Sequence, residues 1–156
     1  MGDNKMNEVL QTCMGMLGAV GFAVLFHVKG KKLIVAAVGG GLSWIVYLVV
    51  LERYGDKALG LLASTVTVGL LAEILARVMK TPVTILLVPM LIPLIPGSDL
   101  YYTTSYLVRG QTEECARSLD LVIREAGAIA FGIILVTCMV QVVLQLANRL
   151  KTVKIG

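Results

Sequence analysis

Residues Thr81–Tyr102 read TPVTILLVPMLIPLIPGSDLYY. The run is apolar enough to enter a bilayer, yet it holds Pro82, Pro89, Pro93 and Pro96, all four prolines of the chain. Each proline removes a backbone donor and clashes with the carbonyl four residues back, so a regular helix is broken or kinked here. In hydrocarbon a broken backbone persists only where protein or a water-lined cavity satisfies the freed groups. Discontinuous helices of this kind are where secondary transporters place substrate and ion sites. The segment then closes on PGSDLYY, which crowds a turn, a hydroxyl, a carboxylate and two phenols together. A kinked packing helix that ends in an ordinary loop is the alternative, and spacing alone does not separate the two.

The remainder of the chain is equally apolar. Hydrophobic residues make up 57% of the 156 residues and charged residues only 15%, which excludes an ordinary soluble domain and points to a polytopic membrane protein. The net charge of +4 is modest, and no basic stripe is interleaved with aromatics, so the cations set topology and do not mark a nucleic-acid footprint. Cys13, Cys115 and Cys138 are far apart and the chain has one histidine, so the sequence carries no metal-ligand or redox motif and no cofactor is expected. MGDNKMNE lacks the basic start of a signal peptide, so the first apolar block is expected to belong to the mature chain.

Outward from the proline segment, the expectation is an all-α, polytopic membrane protein with five transmembrane helices, the fourth proline-broken. The spans are expected at about 9–28, 33–51, 58–79, 82–96 and 126–146, with an amphipathic helical lead-in at about 111–125. The first span carries Gly15, Gly18 and Gly21, a flat strip for close helix packing, and ends near an interfacial His27. In the second, Gly39, Gly40 and Gly41 precede Ser43, Trp44 and Tyr47. The glycines read as packing; Ser43 is free to donate to a substrate or to bond back to its own helix. The third holds Ser64, Thr65 and Thr67, then Glu73 and Arg77 four residues apart on one face. An intramembrane carboxylate is rare and expensive, which makes Glu73 a candidate proton carrier, ion ligand or partner of Arg77; Arg77 is also placed to snorkel to the interface with Lys80. The fifth span has Thr137, Gln141 and Gln145 as polar positions.

Five spans put the termini on opposite sides. The loops with Lys29, Lys31, Lys32 and Lys80 and the tail with Arg149, Lys151 and Lys154 then share one face, and by the positive-inside rule that face is cytoplasmic. The N-terminus is therefore expected outside and the C-terminus inside.

The segment PMLIPLIPGSDLYY resembles the PxxIPLxPGxxxY signature of the threonine/serine exporter family. Pro89, Pro93, Pro96, Gly97, Ser98 and Tyr102 match it, and GGGLSWIVY matches the glycine-rich helix more loosely. Asp99 departs from the uncharged residue common there. The resemblance covers nearly the whole chain and is closest to the small, YjjB-like subunit of split exporters. It implies export of threonine, serine or a dicarboxylate such as succinate across the bacterial cytoplasmic (inner) membrane, driven by the proton-motive force. It also implies a larger five-span partner subunit, or failing that a homo-oligomer.

On this reading Ser98 and Tyr102 hydrogen-bond the substrate at the Pro93–Ser98 break, Glu73 couples to protons with Arg77, and Thr137 and Gln141 line the path. A structural subunit that stabilises a partner without lining the pathway is the competing class. An embedded enzyme is disfavoured, because the sequence offers no paired carboxylates, metal cluster or Ser/His arrangement near the break.

Overall fold

The computed structural model of the chain describes residues 2–153, with side chains described for residues 6–146. Six α-helices follow one another: α1 (Gly2–Leu25), α2 (Lys31–Tyr54), α3 (Lys57–Val78), α4 (Val83–Leu91), α5 (Gly97–Val108) and α6 (Thr112–Val153), with a 3₁₀ turn at Ile92–Leu94 after α4. Among the described residues there is no strand. The chain is an all-α, multi-pass membrane protein. Four helices are long and apolar enough to cross a bilayer, and the bent pair Val83–Leu94 and Gly97–Val108 supplies up to one more.

The turns between helices follow from local chemistry. Gly55 ends α2 at φ 69°, a left-handed conformation that glycine adopts freely, and its amide donates to Leu51 O at 2.8 Å. Asp56 then caps α3, its carboxylate accepting from the Ala58 and Leu59 amides at 2.8 and 3.2 Å. At the other end of the bundle the Lys32 ammonium donates to Thr81 Oγ1 at 3.0 Å. That bond ties the α1–α2 and α3–α4 connections together, so the basic residues Lys29–Lys32 and Lys80 do share one end. Lys154 lies outside the described residues, as do the side chains of Arg149 and Lys151.

Helices α1, α2, α3 and α6 stand side by side in that order, and α4 packs across α1, α2 and α3. The glycine run of α2 makes this close. A Cβ on Gly40 would lie 2.5 Å from Ala19 Cβ of α1, and one on Gly39 would lie 2.6 Å from Met90 of α4. The glycines act in packing; α2 continues unbroken through them. Of the α1 strip, only Gly15 is in use, with Pro93 and Trp44 against it, while Gly18 and Gly21 face open space.

Helix α4 runs antiparallel to α3. Leu86 and Met90 are buried against Val68, Ala72 and Ala76, and further along the chain Leu94 is buried against Leu61 and Tyr47. Helix α6 runs parallel to α3, since Gly132 meets Thr65 and Val136 meets Gly69. The chain therefore returns once through α4 before α6 sets out again. Val83–Leu94 spans only about 19 Å at ordinary helical rises, well short of a ~30 Å hydrocarbon core.

After the break the chain does not continue as a polar loop. Gly97–Val108 is a helix, bent 59° from Val83–Leu94 and packed on the first part of α6. Its Thr103 and Thr104 hydroxyls bond back to the carbonyls of Asp99 and Leu100 at 2.7 and 3.2 Å. The lead-in expected at 111–125 is continuous with the last span. Together they form one 42-residue helix, roughly 63 Å long and about twice the hydrocarbon thickness.

Candidate functional site

The prolines determine where the chain opens. Pro93 and Pro96 bring no amide, so the last helical bonds here are short-range: Ile95 N to Ile92 O at 3.2 Å and Gly97 N to Ile95 O at 2.7 Å. Helix α5 then starts with its own orphan donors. Leu100 N reaches Pro96 O at 3.0 Å, but among the described residues the Ser98 and Asp99 amides have no backbone acceptor. Free amides at a helix N-terminus favour an anion.

These groups line a cavity of about 240 Å³ between α2, α3, the break and α6. Trp44, Tyr47, Leu61, Pro93 and Leu94 line it. Pro93 and Trp44 both lie against Gly15, near the middles of α1 and α2. At the mouth stand Ser98, Lys57, Asp99 and Glu125. Lys57 Nζ is 2.9 Å from Asp99 Oδ2 and 3.5 Å from Glu125 Oε1. Lys57 extends from the first residue of α3 and is half-exposed, whereas the Glu125 side chain is only 5% exposed. Two carboxylates thus share one ammonium, which leaves one formal negative charge uncompensated at the rim of the cavity.

Trp44 also carries a buried polar group: among the described residues its indole Nε1 has no hydrogen-bond partner. Its ring lies 5.1 Å from that of Tyr47, tilted by 40°. Buried indole donors normally find an acceptor.

Of the residues singled out in the sequence, Pro93, Pro96, Gly97 and Ser98 line this cavity together. The others lie apart. Tyr102 is 51% exposed and stacks on Tyr106 with ring centroids 6.2 Å apart, away from the chamber. Pro89 is buried in α4 and borders a separate apolar cleft with Phe26 and Val88. Ser43 bonds back to Gly40 O at 2.7 Å, while its own carbonyl accepts from Ser64 Oγ. Thr137 bonds back to Ile133 O at 2.8 Å, and Gln141 is exposed on α6.

Glu73 and Arg77 do pair, at 3.0 Å, with Arg77 half-exposed and the Glu73 side chain 13% exposed. They sit toward the far end of α3, Glu73 roughly 24 Å along the helix from Lys57. Lys57, Asp99, Glu125 and Tyr47 were absent from the sequence-based site. Among the described residues no cluster of His, Cys, Asp and Glu has the form of a metal site.

Comparison with known families matches residues 11–139 to the family described as "Threonine/Serine exporter, ThrE". No curated protein and no solved structure matches the chain. The match runs from the first turns of α1 well into α6 and includes the whole break and the cavity around it, and the chain belongs to the threonine/serine exporter family.

Proposed function

We propose that this chain is the small membrane subunit of a bacterial inner-membrane exporter for threonine and serine, and that the cavity at the proline break is its half of the substrate site. The observation that carries this reading is the cluster Lys57–Asp99–Glu125 at the mouth of a chamber begun by free helix amides. An α-amino acid is a zwitterion and needs both signs of charge to meet it. Its carboxylate finds Lys57 and the Ser98 and Asp99 amides at the start of α5. Its ammonium finds Asp99 and Glu125. The chamber is smaller than the roughly 300–1,000 Å³ typical of drug-sized ligands, as a small metabolite requires.

A dicarboxylate such as succinate is the less favoured cargo. Its second carboxylate would meet two acids that already share one lysine, and like charges at close range repel. The cluster also supports proton coupling. A proton taken by either acid cancels the uncompensated charge and frees Lys57 for the substrate carboxylate. Glu73, largely buried and held by Arg77, is the second candidate for the coupling group.

The chamber opens at the end of the bundle that bears the α2–α3 turn and α5. With the N-terminus outside, that end is external and the chamber faces outward. A five-span half has odd topology, so a larger five-span partner inserted in the opposite sense would complete an inverted pair. The competing reading is a subunit that stabilises its partner and lines no path.

The test is uptake and efflux of labelled threonine, serine and succinate in proteoliposomes, with this chain alone and with the large subunit. Threonine and serine flux only with both chains supports the reading, and flux from this chain alone makes the second half another copy. Lack of flux in either preparation overturns it in favour of the structural role.

A further inference from the structure

The end of the bundle opposite the cavity carries positive charge that the chain itself does not balance. The sequence has no acidic residue between Glu8 and Glu52 or between Glu73 and Asp99, so Lys29, Lys31, Lys32 and Lys80 stand in stretches without acids. Glu73 is already paired with Arg77, and among the described residues none of these four lysines has an ion pair. Lys32 donates to the neutral Thr81 hydroxyl. Beside them lies an apolar cleft of about 290 Å³, lined by Phe26, Val28, Thr84, Ile85, Val88 and Pro89. It begins where α1 ends. The Val28 amide folds back to Ala23 O at 2.9 Å, Val28 packs near Ile85, and Lys29 follows directly. Thr84, the first α4 residue of the cleft, comes three residues after Thr81, which puts the Lys32–Thr81 bond at its polar end.

We propose that this cleft seats an anionic phospholipid, with one acyl chain along Ile85, Val88 and Pro89 and the phosphate held by Lys29, Lys32 and Lys80. The charge selects an anionic partner, and basic pockets between membrane helices are suited to lipid phosphate. The dimensions of the cleft argue for a chain over a helix. From Thr84 to Pro89 it follows α4 for only about 8 Å, less than two turns, whereas a spanning helix presents a face of ~30 Å. A hydrocarbon chain fills a short apolar cleft and brings no backbone polar groups that need partners there. A free phosphate would meet the lysines and leave the apolar walls unused. The site lies at the far end of the bundle from Lys57, Asp99 and Glu125, so it stands independently of the substrate reading.

The experiment counts the lipids retained by the full chain in native mass spectrometry. The probes are dioleoyl phosphatidylglycerol and dioleoyl phosphatidylcholine, which share their chains and differ in headgroup charge. One phosphatidylglycerol is expected to be held in preference to phosphatidylcholine. Lys29→Gln and Lys80→Gln should each weaken that preference roughly fivefold. Lys32 is left in place because its bond to Thr81 ties the two connections. Val88→Trp fills the cleft at an exposed position and should weaken retention of both lipids; Thr84→Trp, also exposed, decides if Val88→Trp does not fold. Equal retention of the two lipids, or a preference unchanged in both lysine variants, overturns the proposal. Displacement of the lipid by glycerol phosphate overturns the acyl-chain seat in favour of a free phosphate site. Unchanged retention after the cleft is filled, or a second copy of the chain bound in the lipid's place, overturns the cleft as its seat.

Discussion

Lys57 Nζ meets Asp99 Oδ2 at 2.9 Å, across forty-two residues of sequence. This contact joins the first residue of α3 to the first turn of α5, and so anchors the bent helix pair against the bundle at the point where the prolines release it. Glu125 of α6 closes the cluster from the other side. The arrangement makes the proline break a built feature and gives the opening a charge pattern.

The cluster predicts an asymmetry between its members. Lys57→Met leaves two acids without a cation, one of them buried. Threonine flux is expected to fall at least tenfold. The exchange Lys57→Asp with Asp99→Lys restores an ion pair at the same place and should recover part of the flux. Transport assays on the single and double variants check this.

Coupling should follow the cavity acids. Glu125→Gln removes the uncompensated negative charge, so flux should lose its dependence on pH, whereas Glu73→Gln should keep the wild-type profile at a reduced or equal rate. A pH series of efflux rates distinguishes them. A flat profile in Glu73→Gln alone would move the coupling role to the Glu73–Arg77 pair.

Packing gives a prediction independent of function. Gly40→Ala would bring its Cβ to 2.5 Å from Ala19 Cβ, and overpacking of this kind costs about 1–3 kcal/mol. Gly18→Ala and Gly21→Ala meet open space and should stay within about 0.5 kcal/mol of wild type. Thermal unfolding in detergent reports both.

Topology is checked by labelling in whole cells. In a cysteine-free background, Gln111→Cys in the α5–α6 turn should react with a membrane-impermeant maleimide from outside. Lys31→Cys should react only after permeabilisation. The reverse pattern would turn the chamber toward the cytoplasm.

Much of this architecture was readable from local chemistry. Pro93 and Pro96 delete donors wherever they stand, so the break at Ile92–Pro96 needed no tertiary information, whereas Pro89 lies inside α4, which runs on through it. Glycines 39–41 likewise announced a close helix contact. Helix α5 was hidden because its serine, threonines and tyrosines are indifferent helix formers and its order comes from docking on α6.

The charge cluster was hidden for a different reason. Lys57 stands in the short charged stretch ERYGDK and Glu125 at the end of the amphipathic lead-in, and only the fold brings them together. One signal was present: Glu125 falls on the same helical stripe as Val122, Ile129, Gly132 and Val136, the face that packs inward. Conversely, Tyr102 matched a signature yet faces away from the chamber.

The most direct test of the cavity as substrate site is ligand protection. In the intact exporter with native cysteines replaced, the rate of maleimide modification is measured at Ser98→Cys, at the cavity mouth, and at Tyr102→Cys, outside it. Threonine and serine are predicted to slow modification at position 98 several-fold, succinate to have little effect, and position 102 to be indifferent to all three. Equal rates at position 98 with and without threonine, in a preparation that exports threonine, would contradict the account.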